Sequence, residues 1–372
     1  MNLIYISDAY LPSRTANSVH IVKMCEAFAM DNHKVLLIGL SKEQVSECEI
    51  FEYYGVKGIF RIHLNILPQR TGILFLHALK SFLKVLKEKP DWVFGRSFLG
   101  CLMVSLFLPR QSISFELHAP LAALNKLQKY SVYRMLPKLS TLVVISQALK
   151  CILVNEIGDR FNVDKIKVHH DAASLGVLSG STKDLLFIDS NKIHVGYLGS
   201  IQQGRGLNLI LSLSRLLPEF QFHIVGGTEE EASRILMTSC VQSNLFFHGY
   251  QPHSKLDLFK SKFDILLAPY QRETLIKSGI NTSAFMSPLK IFEYMASGKP
   301  IVASDLDVIR EVLNDTNAML VPPEDVQAWA RALAKLRDVS LREKLGAEAY
   351  KVWEESYTWR SRASRIIAEL DQ

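Results

Sequence analysis

Residues 287–313 read SPLKIFEYMASGKPIVASDLDVIREVL, and the fold is decided in this stretch. Ser287 is a good N-cap, and Pro288 suits the first helical position, where no backbone donor is lost. Leu289, Phe292, Met295 and Ala296 recur at helical spacing as an apolar stripe, with Lys290, Glu293 and Ser297 on the other face. Gly298 stops the helix. Pro300 leads into Ile301-Val302-Ala303, a short apolar run typical of a parallel strand. Ser304 and Asp305 then read as the cap of a second helix carrying Val308, Ile309, Val312 and Leu313. Helix, tight turn, buried strand and helix make an αβα unit. Glu293 is either a carboxylate on a solvated face or a group turned toward an anion held at the helix start.

The same alternation runs through the chain. In the first half, strands are expected at Leu3–Ser7, Lys34–Leu40, Trp92–Phe94, Ser112–Leu117 and Leu142–Ile145. Helices are expected at Ser18–Met30, Ile73–Lys87, Phe98–Leu108, Leu121–Met135 and Ala148–Ile157. Residues 172–191, small and polar, read as a linker. A second series follows: strands Ile193–Leu198, Gln221–Val225, Leu245–Gly249 and Ile265–Ala268, with helices Leu207–Leu217 and Ser254–Lys260. Beyond the decisive stretch come helices Val326–Arg337, Leu341–Glu354 and about Thr358–Glu369. This order predicts an α/β fold of two Rossmann-like, doubly wound parallel-sheet domains, residues 1–175 and 190–355. Their sheet edges would face each other across a cleft, and the last helix, 356–372, would cross back to the first domain.

Composition bounds the rest. The 372 residues are 48% hydrophobic and 22% charged, enough for two cores, and no apolar run reaches the ~20 residues of a membrane span. Five cysteines at 25, 48, 101, 151 and 240 show no Cys-x-x-Cys spacing, so the expectation is a reduced, cytoplasmic protein without zinc or disulfides. A strand begins at Leu3, with no leader expected before it. The net charge of +6 is concentrated: residues 51–155 hold 14 basic and 4 acidic side chains. No nucleic-acid motif accompanies that excess. The helix ILFLHALKSFLKVLK at 73–87 places Lys80, Lys84 and Lys87 on one stripe with His77. It is either a surface helix packed on the sheet or a peripheral contact with anionic lipid.

Several loops carry chemistry. Thr15-Ala16-Asn17-Ser18 opens the first helix, where backbone N–H groups could meet an anion, or where Asn17 or Ser18 simply caps. No GxGxxG is present, so a nicotinamide cofactor is not expected. In GYLGSIQQGRGL, Gly199 permits close backbone approach and Arg205 offers a permanent bidentate phosphate donor ahead of a helix. His118 ends a strand, with Glu116 alternating onto the same side. It is either a site residue or a structural histidine capping the next helix. Asp305-Leu306-Asp307 superficially matches a metal-binding Asp-x-Asp, but Asp305 reads as a cap and Asp307 as a first-turn acid. No Ser-His-Asp order, HExxH or Walker A sequence occurs.

Taken together, SPLKIFEYMASGKPIVASDLDVIREVL, GYLGSIQQGRGLNLIL, HGYQPHSKL, DILLAPY, ELHAP and LVVIS resemble the GT-B glycosyltransferases of family 4, in order and spacing over nearly the whole chain. The resemblance implies a retaining, metal-independent transfer of a hexose from a nucleotide diphosphate sugar. UDP- and GDP-sugars are the favoured donors, as co-substrates rather than cofactors. The acceptor would be a saccharide or a polyprenyl-linked saccharide at the inner membrane face, in polysaccharide or glycolipid biosynthesis. Carried over, Glu293 matches the glutamate holding the donor ribose, and Arg205 the cation on the diphosphate. Ser287, Pro288 and Leu289 match the helix start at the distal phosphate, with Lys290 beside it. His118 matches the histidine near the transferred sugar. Gly249, Tyr250 and Gln251 lie where the base is contacted, and Gly199 and Ser200 begin the phosphate loop. Asn17, Ser18, Glu116 and Phe285 fall on the sugar or acceptor side. Two departures stand out: Phe285 replaces the first glutamate of Glu-x7-Glu, and Ser200 replaces an arginine, leaving Arg205 and Lys290 more of the phosphate charge. The competing readings are a nucleotide-sugar epimerase of the same fold, with Glu116 as acid/base, and an inactive binding module.

Overall fold

The computed structural model describes residues 1–68, 72–176, 191–228, 230–231, 233, 242–275 and 280–370, with backbone only at 253 and 254. The chain divides into two compact units. The first comprises Met1–Asp171 and the stretch from Trp359 onward, and the second is Ala172–Thr358. Of the expected linker, residues 177–190 lie outside the described residues.

The first unit holds seven parallel strands in the order β3-β2-β1-β4-β5-β6-β7. They are β1 Asn2–Tyr10, β2 Lys34–Ser41, β3 Arg61–Ile66, β4 Trp92–Gly95, β5 Ser112–Leu117, β6 Thr141–Val144 and β7 Ile166–Val168. The second holds six, β8 Ile193–Leu198, β9 Phe220–Val225, β10 Leu245–Phe247, β11 Ile265–Ala268, β12 Ile301–Ser304 and β13 Met319–Val321, in the order β10-β9-β8-β11-β12-β13. Both are doubly wound, as the alternation predicts. The central strands are apolar on both faces because helices cover both: Leu3, Ile4, Tyr5 and Ile6 are all at most 2% exposed. Strand order reverses beside β1 and beside β8, so the loops after β1, β4, β8 and β11 border the crevices where such sheets bind ligands.

The decisive stretch folds as helix Leu289–Ala296, strand β12 and a short helix Asp307–Arg310, with two corrections at the caps. Pro288, not Ser287, is the N-cap residue, extended at φ −78°, ψ 120° and without a side-chain cap bond, while Ser287 is buried. Asp305 does not cap the second helix. Its carboxylate pairs with the Arg310 guanidinium, and Leu306 takes the cap position. Thr15, rather than Asn17 or Ser18, caps the first helix, Ala16–Met30, by accepting from the Ser18 amide. The expected helix 121–135 splits into a short 3-10 turn, Leu121–Ala123, and a helix Lys126–Met135 capped by Asn125.

The basic helix, Ile73–Glu88, sits the other way round from its apolar pattern. Its buried face is His77, Ala78, Ser81 and Val85. His77 Nε2–H donates to Ser7 O at 3.0 Å, and its Nδ1 accepts from Asn65 Nδ2 at 2.9 Å, so the polar ring is satisfied inside. Leu74, Phe75, Leu76, Leu79, Leu83 and Leu86 are left facing outward, Phe75 at 62% exposure.

In the second unit three imidazoles form a hydrogen-bonded row across β8, β9 and the end of β10. His194 Nδ1 meets His223 Nε2 at 2.9 Å, and His223 Nδ1 meets His248 Nε2 at 3.0 Å. Phe246 and Phe263 stack on His223. Burial pushes His223 down to about 3 and His248 to about 4. Both are therefore neutral when folded and free to bind protons below about 6.5 when unfolded. The stabilisation is present above that value and is lost as pH falls toward the folded pKa values. His223 alone is expected to cost up to about 1.4 kcal/mol per pH unit in that window. Thermal unfolding at pH 7.5 and pH 5 measures this; an unchanged Tm would contradict it.

Candidate functional site

Two groups of predicted residues assemble, one in each unit. In the second, Gly199 follows β8 at φ +143° and donates its N–H to Val225 O at 2.9 Å. A Cβ on Gly199 would lie 2.8 Å from Lys290 Nζ, so the absent side chain is what lets the ammonium reach the loop. Gly206, at φ +81°, starts the next helix, Leu207–Leu216; a Cβ there would fall 2.1 Å from Pro269 O. Between these glycines the loop carries Arg205, half-buried, with Nε buried and without a hydrogen-bond partner.

Two tyrosines that the sequence did not mark organise the cations. Lys290 Nζ lies 3.7 Å from the Tyr197 ring centroid and 5.3 Å from that of Tyr270. Arg205 Cζ lies 5.2 Å from the same Tyr270 ring. Tyr197 fixes the loop by donating to Ser200 O at 2.6 Å. Tyr294 accepts from Leu198 N–H at 2.8 Å, tying helix Leu289–Ala296 to β8. Burial first, then Arg205, holds the Lys290 ammonium well below its ordinary range, with Glu293 opposing. Glu293 is half-buried one turn beyond Lys290 and lines a depression of about 390 Å³ with Asp257, Lys260, Ser297 and Tyr350. Pro288 and Leu289 form the start of that helix, and Phe285, four residues before Leu289, is buried at 5% exposure. Gly249 O accepts from Gly226 N–H at 2.7 Å, which sets the 249–251 loop beside the one after β9. Tyr250 is exposed, and the Gln251 amide donates to His248 O at 2.8 Å.

In the first unit Glu116 and His118 do share one side. His118 Nε2 donates to Glu116 Oε1 at 2.8 Å. The same oxygen accepts from Arg362 Nη2 at 2.6 Å, and His20 Nε2 lies 3.2 Å from Oε2. His20 Nδ1 reaches Asp171 at 2.8 Å. Burial alone would raise Glu116, but Arg362, then His20 and His118, hold it well below the usual carboxylate range. Burial, then Arg96, pushes His118 down to about 4. With its Nε2–H engaged, neutral His118 presents Nδ1 as an acceptor for a hydroxyl. Glu116 is thus a counter-ion already engaged by Arg362, His20 and His118. His20, Glu116 and His118 offer ligand atoms within 4.8 Å of one another, but Arg362 already occupies the shared carboxylate, so the cluster is better described as an ionic network.

Ser18 is buried, its hydroxyl within 2.8 Å of the Ser13 and Thr15 carbonyls, while Asn17 is exposed beside it. At the end of β1, Asp8 is a group the sequence did not flag. Burial raises it to about 6 against hydrogen bonds from Ser97 and the Phe98 amide. Arg362 was equally unmarked, although a signal existed: it shares helical spacing with Trp359, Ala363 and Ile366, all buried, and an arginine on such a face needs a partner.

The architecture is that of GT-B glycosyltransferases. Similar solved structures include Anabaena HepE in complex with UDP, at TM-score 0.74 and 14% identity over 100% of both chains. The sucrose-phosphate synthase of Thermosynechococcus elongatus matches at TM-score 0.73 and 15% identity, over 99% of this chain and 98% of that one. Residues 192–338 match the family described as Glycosyl transferases group 1, and they contain the Gly199–Arg205 loop and helix Leu289–Ala296. A phosphatidyl-myo-inositol mannosyltransferase of Mycobacterium leprae is 32% identical over 181 residues. That match covers 46% of this chain, which spans 44% of the length of that relative.

Proposed function

We propose that this chain is a retaining glycosyltransferase that moves a hexose from a UDP- or GDP-sugar to a saccharide or polyprenyl-linked acceptor, without a metal. The observation that carries this is the pairing of Arg205 and Lys290 beside Gly199, next to the start of helix Leu289–Ala296. A departing nucleotide diphosphate gathers charge on its distal phosphate. Arg205, Lys290 and the backbone N–H groups at Leu289 would stabilise that charge where it develops. Glu293 would accept from the ribose hydroxyls. His118 would accept from a hydroxyl of the transferred sugar, and the acceptor would attack on the face the leaving group vacates. UDP and UDP-glucose bound to HepE support a nucleotide sugar as donor. The Glu116–Arg362 pair argues against the epimerase reading. Incubation with UDP- and GDP-hexoses should give slow hydrolysis and donor-dependent transfer to lipid-linked acceptors; neither reaction with any donor, or an isomerised sugar, defeats the proposal.

Peripheral contact with anionic lipid belongs to the same reading. Among the described residues no helix is long and apolar enough to cross a membrane. The outward face of helix Ile73–Glu88 combines Phe75, Leu79 and Leu83 with a groove of about 510 Å³ lined by Lys80, Lys84 and Lys87. An apolar ridge beside a cationic groove suits the boundary of headgroup and acyl chain. Flotation with vesicles of phosphatidylglycerol should recover the protein, and Phe75→Ser with Leu83→Ser should lose it. Equal flotation of that variant would exclude this face.

A further inference from the structure

Arg205 is held in place by the segment that follows β11. The residues flanking it, Gly204 and Gly206, both press backbone to backbone on that segment. A Cβ on Gly204 would fall 2.1 Å from Glu273 O, as one on Gly206 would from Pro269 O. The Gly204 carbonyl is taken twice, accepting from the Gln271 N–H at 2.9 Å and from the Thr274 hydroxyl at 3.2 Å. Thr274 is fully buried and shares its hydroxyl proton with Gln271 O at 2.9 Å. At the other end of the same peptide unit, Arg205 N–H donates to Gln202 O at 3.2 Å. A carbonyl oxygen has two lone pairs, and here both are used. The rigid plane joining Gly204 to Arg205 is therefore fixed at both ends, and with it the direction in which the Arg205 side chain leaves the backbone. The backbone of Thr274 serves a second piece of the site. Its N–H donates to Asn281 Oδ1 at 2.9 Å, and its carbonyl accepts from the Thr282 N–H at 2.9 Å and the Thr282 hydroxyl at 3.1 Å. Thr282 O accepts in turn from the Phe285 and Met286 N–H groups at 3.1 and 2.8 Å, just ahead of the start of helix Leu289–Ala296. One buried threonine thus stands between the Arg205 loop and the helix that bears Lys290.

We infer that Thr274 is a positioning residue for the diphosphate: its hydroxyl aims the Arg205 guanidinium, and its backbone keeps that aim in register with the helix start. The inference rests on the donor-site reading above. Gly204 O already has the Gln271 N–H as a partner, so the hydroxyl is not needed to satisfy that carbonyl. What a second donor adds is direction. Any tilt of the Gly204–Arg205 plane is magnified at the guanidinium, at the far end of a long side chain, and a displacement of about 1 Å can cost on the order of a hundredfold in rate.

Calorimetric titration of the full chain with UDP, GDP and inorganic diphosphate compares the parent with Thr274→Val and Thr274→Ser. Valine keeps the shape and removes the hydroxyl. It should melt within about 4 °C of the parent and bind diphosphate on the order of tenfold more weakly. Serine keeps the hydroxyl and should bind within about twofold of the parent. Thr274→Ala, which sets no methyl group against the Gly204 carbonyl, serves where valine disturbs the fold. A double-mutant cycle with Arg205→Ala, read as kcat/KM for sugar transfer, separates aiming from packing. Thr274→Val should lower the rate little further once Arg205 is gone, whereas a packing role would lower it equally in both backgrounds. Parent-like binding without the hydroxyl, a serine variant as weak as valine, or full additivity in the cycle overturns the inference and leaves the donor site standing. Failure of the parent to bind any of the three ligands defeats the donor-site reading and this inference together.

Discussion

Replacing Arg362 with methionine is expected to destabilise the first unit by about 3–5 kcal/mol, the cost of removing one partner from a buried ion pair. Arg362 is fully buried and spends its guanidinium on Glu116 Oε1 at 2.6 Å, His169 O at 3.1 Å and His170 O at 2.8 Å. Methionine keeps much of the length and removes the charge. Glu116 would then keep only His20, His118 and the Tyr5 hydroxyl at 3.4 Å, in a site where burial disfavours its ionised form. The expected drop in Tm is roughly 6–20 °C, at about 2–4 °C per kcal/mol for a unit of this size. Glu116→Gln combined with Arg362→Met should recover part of the loss, because the uncompensated carboxylate is gone. Differential scanning calorimetry decides the matter. A single variant that melts within 2 °C of the parent would show that the pair carries little of the unit's stability.

Arg205→Ala is expected to reduce sugar transfer about 10²–10³-fold, the usual effect of deleting one donor aimed at charge that develops in the transition state. The mutation removes the side chain that shares Tyr270 with Lys290 and leaves the rest of the loop held by Gly199, Tyr197 and Ser200. Folding should therefore survive. Glu293→Ala should act differently, weakening donor binding about tenfold through loss of charge-assisted hydrogen bonds to the ribose. A thermal-shift screen over UDP-, GDP-, ADP- and TDP-sugars reads both. The parent's best ligand should raise Tm, Arg205→Ala should abolish the rise, and Glu293→Ala should reduce it. If both variants keep the full shift, the donor lies elsewhere.

Legibility in the sequence followed burial. Strands Ile193–Leu198 and Ile265–Ala268 have the bounds their apolar runs predict, because helices cover both faces. The edge strands β3 (RIHLNI), β7 (IKV) and β13 (MLV) escaped, being partly exposed and mixed in polarity. Helix Glu47–Tyr54 escaped too, although its Ser46–Glu49 capping box was there to be read. In helix Ile73–Glu88 the pattern pointed the wrong way, since the core wanted the hydrogen-bonding ring of His77 and the outside received the leucines. The site divides along a similar line. Gly199, Arg205, Lys290 and Glu293 lie on local segments whose turn and cap chemistry can be recognised. Tyr197 lies at the end of β8 and Tyr270 just past β11, where an aromatic residue is unremarked until its neighbours are known. The Glu116–Arg362 pair spans 246 positions, and no local pattern couples residues so far apart.

That span also governs the order in which the two units can mature. The second unit is one uninterrupted piece of chain, Ala172–Thr358, and can close as soon as it has left the ribosome. The first cannot, because its stretch from Trp359 is made last. During synthesis Glu116 waits with His20 and His118 but without its guanidinium, and Trp359 has yet to pack on His20 at 5.1 Å. The earlier-born unit is thus the later to be completed. A nascent chain arrested short of residue 359 should expose its N-terminal half to protease while Ala172–Thr358 resists.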